Sequence, residues 1–151
     1  MLILLSSLSL AGELGPSARV GVGMPELGSL SLTLPLSEAW SVDATLGTNL
    51  GLISWFSAGI GPRWRPLGLR FDNDRHILAP GFGAELWLAP YPGGVAAVLA
   101  PAFSFMWQWD LGPVNLVVVQ ELALGVTTDL PPADKFEPGG PLRVLQVGIG
   151  W

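Results

Sequence analysis

The sequence predicts an all-β protein, a closed up-and-down antiparallel transmembrane β-barrel of about eight strands. Three observations predict it. First, apolar residues alternate with small or polar ones along most of the chain, and a period of two sets like side chains on one face of a strand. Second, the chain is oily without being helical. Of its 151 residues 50% are hydrophobic and 13% charged, and the mean hydropathy is +0.50. Yet no run of about 18 uninterrupted apolar residues occurs, so spanning helices do not account for the oil. The most apolar window, 111–126, carries Asn115, Gln120 and Glu121. The 20 Gly and 14 Pro also disfavour helix interiors. Third, the tryptophans fall at strand ends, as set out below.

Residues 1–11 (MLILLSSLSLA) read as the apolar core of a secretory signal, with Ser9-Leu10-Ala11 as a small-x-small cleavage site. A basic n-region is absent, and the competing reading is a buried amino-terminal strand. Residues 12–151 then form a single barrel domain, a length that supports one core. Clusters of Gly, Pro, Asp and Asn divide it into strands at approximately 18–24, 28–36, 39–49, 52–65, 77–89, 95–109, 113–127 and 142–151. The second sets Leu30, Leu32, Leu34 and Leu36 against Ser29, Ser31 and Thr33. The third sets Trp40, Val42, Ala44 and Leu46 against Ser41, Asp43, Thr45 and Gly47. The fourth opposes Phe56, Ala58, Ile60 and Trp64 to Ser57, Gly59, Gly61 and Arg63, and the fifth opposes Phe82, Ala84, Leu86 and Leu88 to Gly81, Gly83 and Glu85. In the sixth, Pro101 marks a bulge or a break. In the seventh, Gln120 falls on the oily side, which a bulge would repair. The last ends with Leu145, Val147, Ile149 and Trp151 on one face.

Alternating strand direction makes the tryptophans an independent test. Trp40, Trp64, Trp107, Trp109 and Trp151 all fall on the side where the last strand ends, the lower side. Trp55, Trp87 and Tyr91 fall on the upper side. Indole prefers the headgroup region, so two aromatic girdles at the membrane interfaces are expected.

The alternation, the girdles and the ending Gln146-x-Gly148-x-x-Trp151 together make the chain resemble a small bacterial outer-membrane β-barrel of the eight-stranded class. The resemblance spans nearly all of 12–151 and is one of class. It implies a monomer in the outer membrane of a Gram-negative bacterium, exported through the periplasm and in contact with outer-membrane lipids. It further implies that Gln146, Gly148 and Trp151 act as an assembly signal read by the barrel assembly machinery. Ile149 departs from such signals, which often carry a second bulky aromatic near that place. The loops depart as well: Asp129–Pro141 fits a long upper loop, but Leu67–His76 is long for a lower turn.

Polar residues on the inward face are Asp43, Arg63, Arg65, Glu85, Glu121 and Gln146. A barrel of this size is filled by its own side chains, so these are expected to form a packed polar network, with Arg63 and Asp43 paired. The inward glycines either leave internal space or serve close packing. Chemistry is sparse. The absence of Cys removes disulfides and thiolate metal sites, and the net charge of −5 disfavours nucleic acid. The lone His76 sits in the lower connection as a solvated loop residue with no nucleophile beside it, and Phe71-Asp72-Asn73-Asp74 reads as a turn rather than a calcium loop. No catalytic residue, cofactor or metal is expected. The reading that follows is a non-enzymatic barrel of structural, anchoring or surface-contact role. The alternatives are a small-solute channel and a soluble lipocalin-like barrel with Trp40, Phe56, Phe82 and Phe103 lining an apolar pocket.

Overall fold

The computed structural model describes residues 7–9, 15–24, 27–48, 56–73, 75–91, 93–130 and 137–151. They form twelve strand segments: β1 (Ser7–Ser9), β2 (Ser17–Met24), β3 (Gly28–Pro35), β4 (Trp40–Thr48), β5 (Phe56–Trp64), β6 (Gly68–Phe71), β7 (His76–Tyr91), β8 (Gly94–Asp110), β9 (Asn115–Ala123), β10 (Gly125–Leu130), β11 (Glu137–Gly139) and β12 (Leu142–Gly150). Every pairing is antiparallel. The order β7-β5-β4-β3-β2-β12-β9-β8 closes when β8 pairs with β7. These eight strands make the barrel, and the short segments are continuations of them. β6 pairs with β7 below β5, β10 extends β9 along β8, and β11 lies against β10 above β12.

The ladder is staggered. From Ala18 the pairing passes through Leu32, Ala44, Ile60, Leu86, Leu99 and Val126 to Pro138. Pro138 precedes Leu142, which is the partner of Met24. One circuit therefore climbs about ten residues, the offset that tilted strands need in order to close.

The pleat sorts the side chains. In β5, buried Ser57, Gly59, Gly61 and Arg63 alternate with exposed Phe56, Ala58, Ile60, Pro62 and Trp64. In β3, Ser29, Ser31 and Thr33 are buried while Leu30, Leu32 and Leu34 are exposed. Trp40, Phe56, Phe82 and Phe103 all point outward, at 48%, 64%, 45% and 52% exposure, so they line no interior pocket.

Four expectations about strands and connections change in the structure. Pro101 marks no bulge, because β7 and β8 keep one register from His76↔Trp109 to Tyr91↔Gly94. Its missing N–H instead coincides with the lapse at Leu124, whose N–H donates to the Pro101 carbonyl at 3.2 Å. Nor is there a bulge at Gln120, where the pairing of β8 with β9 is continuous and Gln120 points outward. The bulge lies in β12, where the register against both β2 and β9 shifts just after Arg143. There Val144 and Leu145 both face outward, and Arg143 and Gln146 both face inward.

The lower connection 67–76 is largely strand. β6 pairs with the start of β7 as Phe71↔His76, and Asp72 and Asn73 turn the hairpin with φ of 54° each. Asp and Asn tolerate that left-handed region better than other non-glycine residues. The upper loop is shorter than Asp129–Pro141, since β10 and β11 pair as Thr127↔Glu137; residues 131–136 lie outside the described set. Of the segment 1–11, the described part, Ser7–Ser9, pairs with β6.

Candidate functional site

The polar residues that the pleat turns inward meet in the lumen. Asp43, Arg63, Arg65, Glu85, Glu121 and Gln146 all lie there, between 1% and 4% exposed. Two more arginines join them, Arg19 and Arg143, each at 1%. Arg19 shares the face of Ser17 and Gly21, so the parity of β2 was its signal in the sequence. Arg143 had only a weak one, because by simple alternation it belongs with Leu145 and Val147 on the oily face. The bulge at Val144 turns it inward, and the doubled apolar pair Val144-Leu145 was the hint.

The network has two centres bridged by Arg63. At the first, Arg143 clamps Glu85 at two points, Nη1 to Oε2 at 3.0 Å and Nη2 to Oε1 at 2.9 Å. Arg143 Nη1 also donates to Glu121 Oε1. Arg63 Nη2 lies 3.1 Å from both Glu85 Oε2 and Glu121 Oε1. At the second, Asp43 accepts from Arg65 Nη2 at 2.9 Å and from the Thr33 hydroxyl at 2.7 Å. Arg63 Nε stands 3.9 Å from the same carboxylate, so Arg65 is the closer partner of Asp43. Arg63 Nη1 donates to the carbonyls of Ala84 (2.7 Å) and Pro62 (3.2 Å), and Arg65 Nη1 donates to Ser41. Arg19 Nη1 donates to Ser17 at 2.8 Å and Thr33 at 2.6 Å. The Gln146 amide donates to Ser31 at 2.6 Å, apart from Glu121.

Glu85 on β7 and Arg143 on β12 are three strands apart, so their clamp crosses the lumen. Charges this deep persist only when paired and hydrogen-bonded. Each of the three carboxylates is held by at least one guanidinium. The inward glycines make room for this packing. A Cβ on Gly59 would strike Glu85 Oε1 and lie 3.3 Å from Arg143 Nη2. One on Gly81 would strike the Ser104 hydroxyl and lie 3.1 Å from Arg65 Cγ. Among the described residues no group of three or more His, Cys, Asp and Glu is placed to hold a metal ion.

The tryptophans divide between the two faces. Trp40 and Trp64 pair across β4 and β5 on the outside, with ring centroids 6.4 Å apart. Trp109 and Trp151 are exposed at 37% and 57%, and Trp107 is half-buried. With the stagger allowed for, these five fall within about three strand residues of one level. Gly148, like Gln146, lies on the inward side of β12, while Trp151 follows it outward and its N–H donates to the Pro16 carbonyl at 3.0 Å. Trp87 is a correction. It shares the face of Glu85, is 5% exposed, and fills the upper lumen with Ala89, Val98, Ala100, Ala102 and Ala123. Trp55 lies outside the described residues. Tyr91 is exposed at the upper end of β7, and its hydroxyl donates to Asp129 at 2.8 Å.

His76 is a correction too. It opens β7 and is packed between rings rather than solvated. Phe71, Trp107 and Trp109 stack on it at centroid distances of 4.9, 5.7 and 5.4 Å, and Trp107 Nε1 donates to its Nδ1 at 3.3 Å.

No family model, curated protein or solved structure matches the chain. Fold and site by themselves define an eight-stranded closed antiparallel barrel with a charged, side-chain-filled interior and an apolar exterior.

Proposed function

We propose that this chain is an integral β-barrel of a bacterial outer membrane, non-enzymatic, serving as an anchoring or surface-contact element. The observation that carries the reading is the inverted distribution of its side chains. Among the described residues thirty-three large apolar side chains are exposed, from 37% at Leu32 and Trp109 to 70% at Leu99, while Arg19, Arg63 and Arg143 are buried at 1%. A water-soluble monomer exposes contiguous apolar patches of only about 300–600 Å². Here apolar side chains cover most of the outward register of all eight strands, which suits a hydrocarbon surround. The level shared by Trp40, Trp64, Trp107, Trp109 and Trp151 marks the lower interface. The upper ends of β10 and β11 carry the surface offered to other molecules, and Gln146, Gly148 and Trp151 serve as the assembly signal.

The guanidinium–carboxylate ties across the lumen argue against the channel reading, for which a planar-bilayer conductance would be the support. The experiment for the membrane reading is gel migration in dodecyl sulfate with and without boiling, after refolding into phospholipid vesicles. A folded barrel migrates apart from its boiled form and floats with the vesicles. A protein that stays in the aqueous fraction, soluble without detergent, overturns the reading.

A further inference from the structure

One side chain breaks the apolar exterior. Along the outward register of the eight barrel strands, the described residues are apolar, glycine or proline, with four exceptions. Thr48 and Thr128 stand at upper strand ends, and His76 stands in the lower hairpin among aromatic rings. The fourth is Gln120 on β9, within the apolar belt. It lies directly across the ladder from Phe105, and Val118, Leu122, Leu142 and Val144 surround it on the same face. Its amide makes no hydrogen bond among the described residues.

Hydrocarbon offers an amide neither donor nor acceptor, so an unpaired glutamine is costly at that position. An amide is, however, complementary to itself, since it has an N–H pair and a carbonyl. Two copies related by a two-fold axis along the membrane normal would bring Gln120 to Gln120, each donating to the other. We propose that Gln120 marks a homodimer interface formed by the outer faces of β8, β9 and β12, with a reciprocal amide pair at its centre. Phe105, Leu122 and Val144 supply the apolar contact around that pair. The occupant is a second copy because a two-fold mate presents the same amide at the same depth and satisfies both amides at once. The proposal rests on the membrane reading above and departs from the monomer that the class resemblance implies.

The chain contains no Cys, so single cysteines report position unambiguously. Leu122→Cys, which keeps Gln120 and flanks it on the same face of β9, is compared with Leu46→Cys on β4, an outward residue 62% exposed and four strands away on the opposite wall. Both are refolded into phosphatidylcholine vesicles at the same protein-to-lipid ratio and treated with a short bismaleimide. The expected result is covalent dimer at Leu122→Cys in several-fold excess over Leu46→Cys. In detergent, sedimentation equilibrium should show a parent dimer whose dissociation constant rises roughly tenfold in Gln120→Leu, with Gln120→Asn in between. Equal cross-linking at the two positions, a monomeric parent, or an unchanged Gln120→Leu overturns the proposal. The same samples are run boiled and unboiled. A folded, vesicle-bound barrel without a dimer refutes the dimer alone, whereas a protein that never enters the vesicles refutes the membrane reading and the dimer with it.

Discussion

Glu85 and Leu86 are neighbours in the chain and opposites in the fold. Glu85 is 2% exposed and tied to two arginines; Leu86 is 43% exposed and stands across the ladder from Ile60 and Leu99. The same contrast runs around the barrel, an inner wall of charge against an outer wall of aliphatic and aromatic carbon. Two different forces therefore hold the two walls. Inside, apolar burial among the described residues is concentrated in the upper cluster around Trp87 and a small group of Met106, Val117 and Val119, with Ile77, Ala79 and Ala97 beside them in the buried set. The rest of the interior relies on charge-assisted hydrogen bonds, which are directional and lose value when one partner is removed. Outside, the wall gains a little from cross-strand pairs such as Trp40 with Trp64 and Phe82 with Phe103 and depends mainly on what surrounds it.

The inner wall breaks hardest. Glu85→Ala leaves Arg63 and Arg143 to share Glu121, and the expected loss is about 3–5 kcal/mol, the cost of an uncompensated buried charge. Urea unfolding in vesicles measures it; a loss below about 1 kcal/mol would mean that water already screens the lumen. On the outer wall, Leu86→Arg should cost about 2–4 kcal/mol in a bilayer. In a water-bathed barrel the same exposed substitution would be nearly neutral, so this pair of results separates the two environments. Gly59→Ala tests the packing of the network without touching a charge. Its methyl group would strike Glu85, and about 1–3 kcal/mol should be lost. Deleting Trp151 should have the smallest effect on the folded barrel, because the residue is exposed and is tied by one backbone bond to Pro16. Outer-membrane yield should fall while the urea midpoint of the barrels that do assemble stays unchanged. Normal yield would remove Trp151 from the assembly signal.

Legibility in the sequence followed the regularity of the pleat. β3, β4 and β5 alternate without interruption, so their faces and the inward positions of Asp43 and Arg63 were readable directly. Arg19 was readable by the same rule. Arg143 is barely so, because a single extra residue in β12 inverts parity and the only mark of the shift is the doubled apolar pair Val144-Leu145. Pro101 and Gln120 misled in the opposite direction. Each looked like a defect that a bulge should repair, whereas the ladder runs straight through both. The expectation of an upper girdle puts Trp87 outside, although its parity with Glu85 places it inside. The lower hairpin is hard to read because Arg70, Asp72, Asn73 and Arg75 make 67–76 polar like a loop. Only the pairing of β6 with β7, a tertiary fact, makes it strand.

The most direct test is a nitroxide scan of the outward positions of β7 in vesicles, with single cysteines placed in turn at Phe82, Ala84, Leu86 and Leu88. The predicted result is that labels at all four positions collide freely with oxygen dissolved in the lipid and are shielded from a water-soluble nickel chelate. Outward labels that relax with the nickel chelate as readily as a label on an exposed loop would contradict it, because the apolar wall would then be facing water.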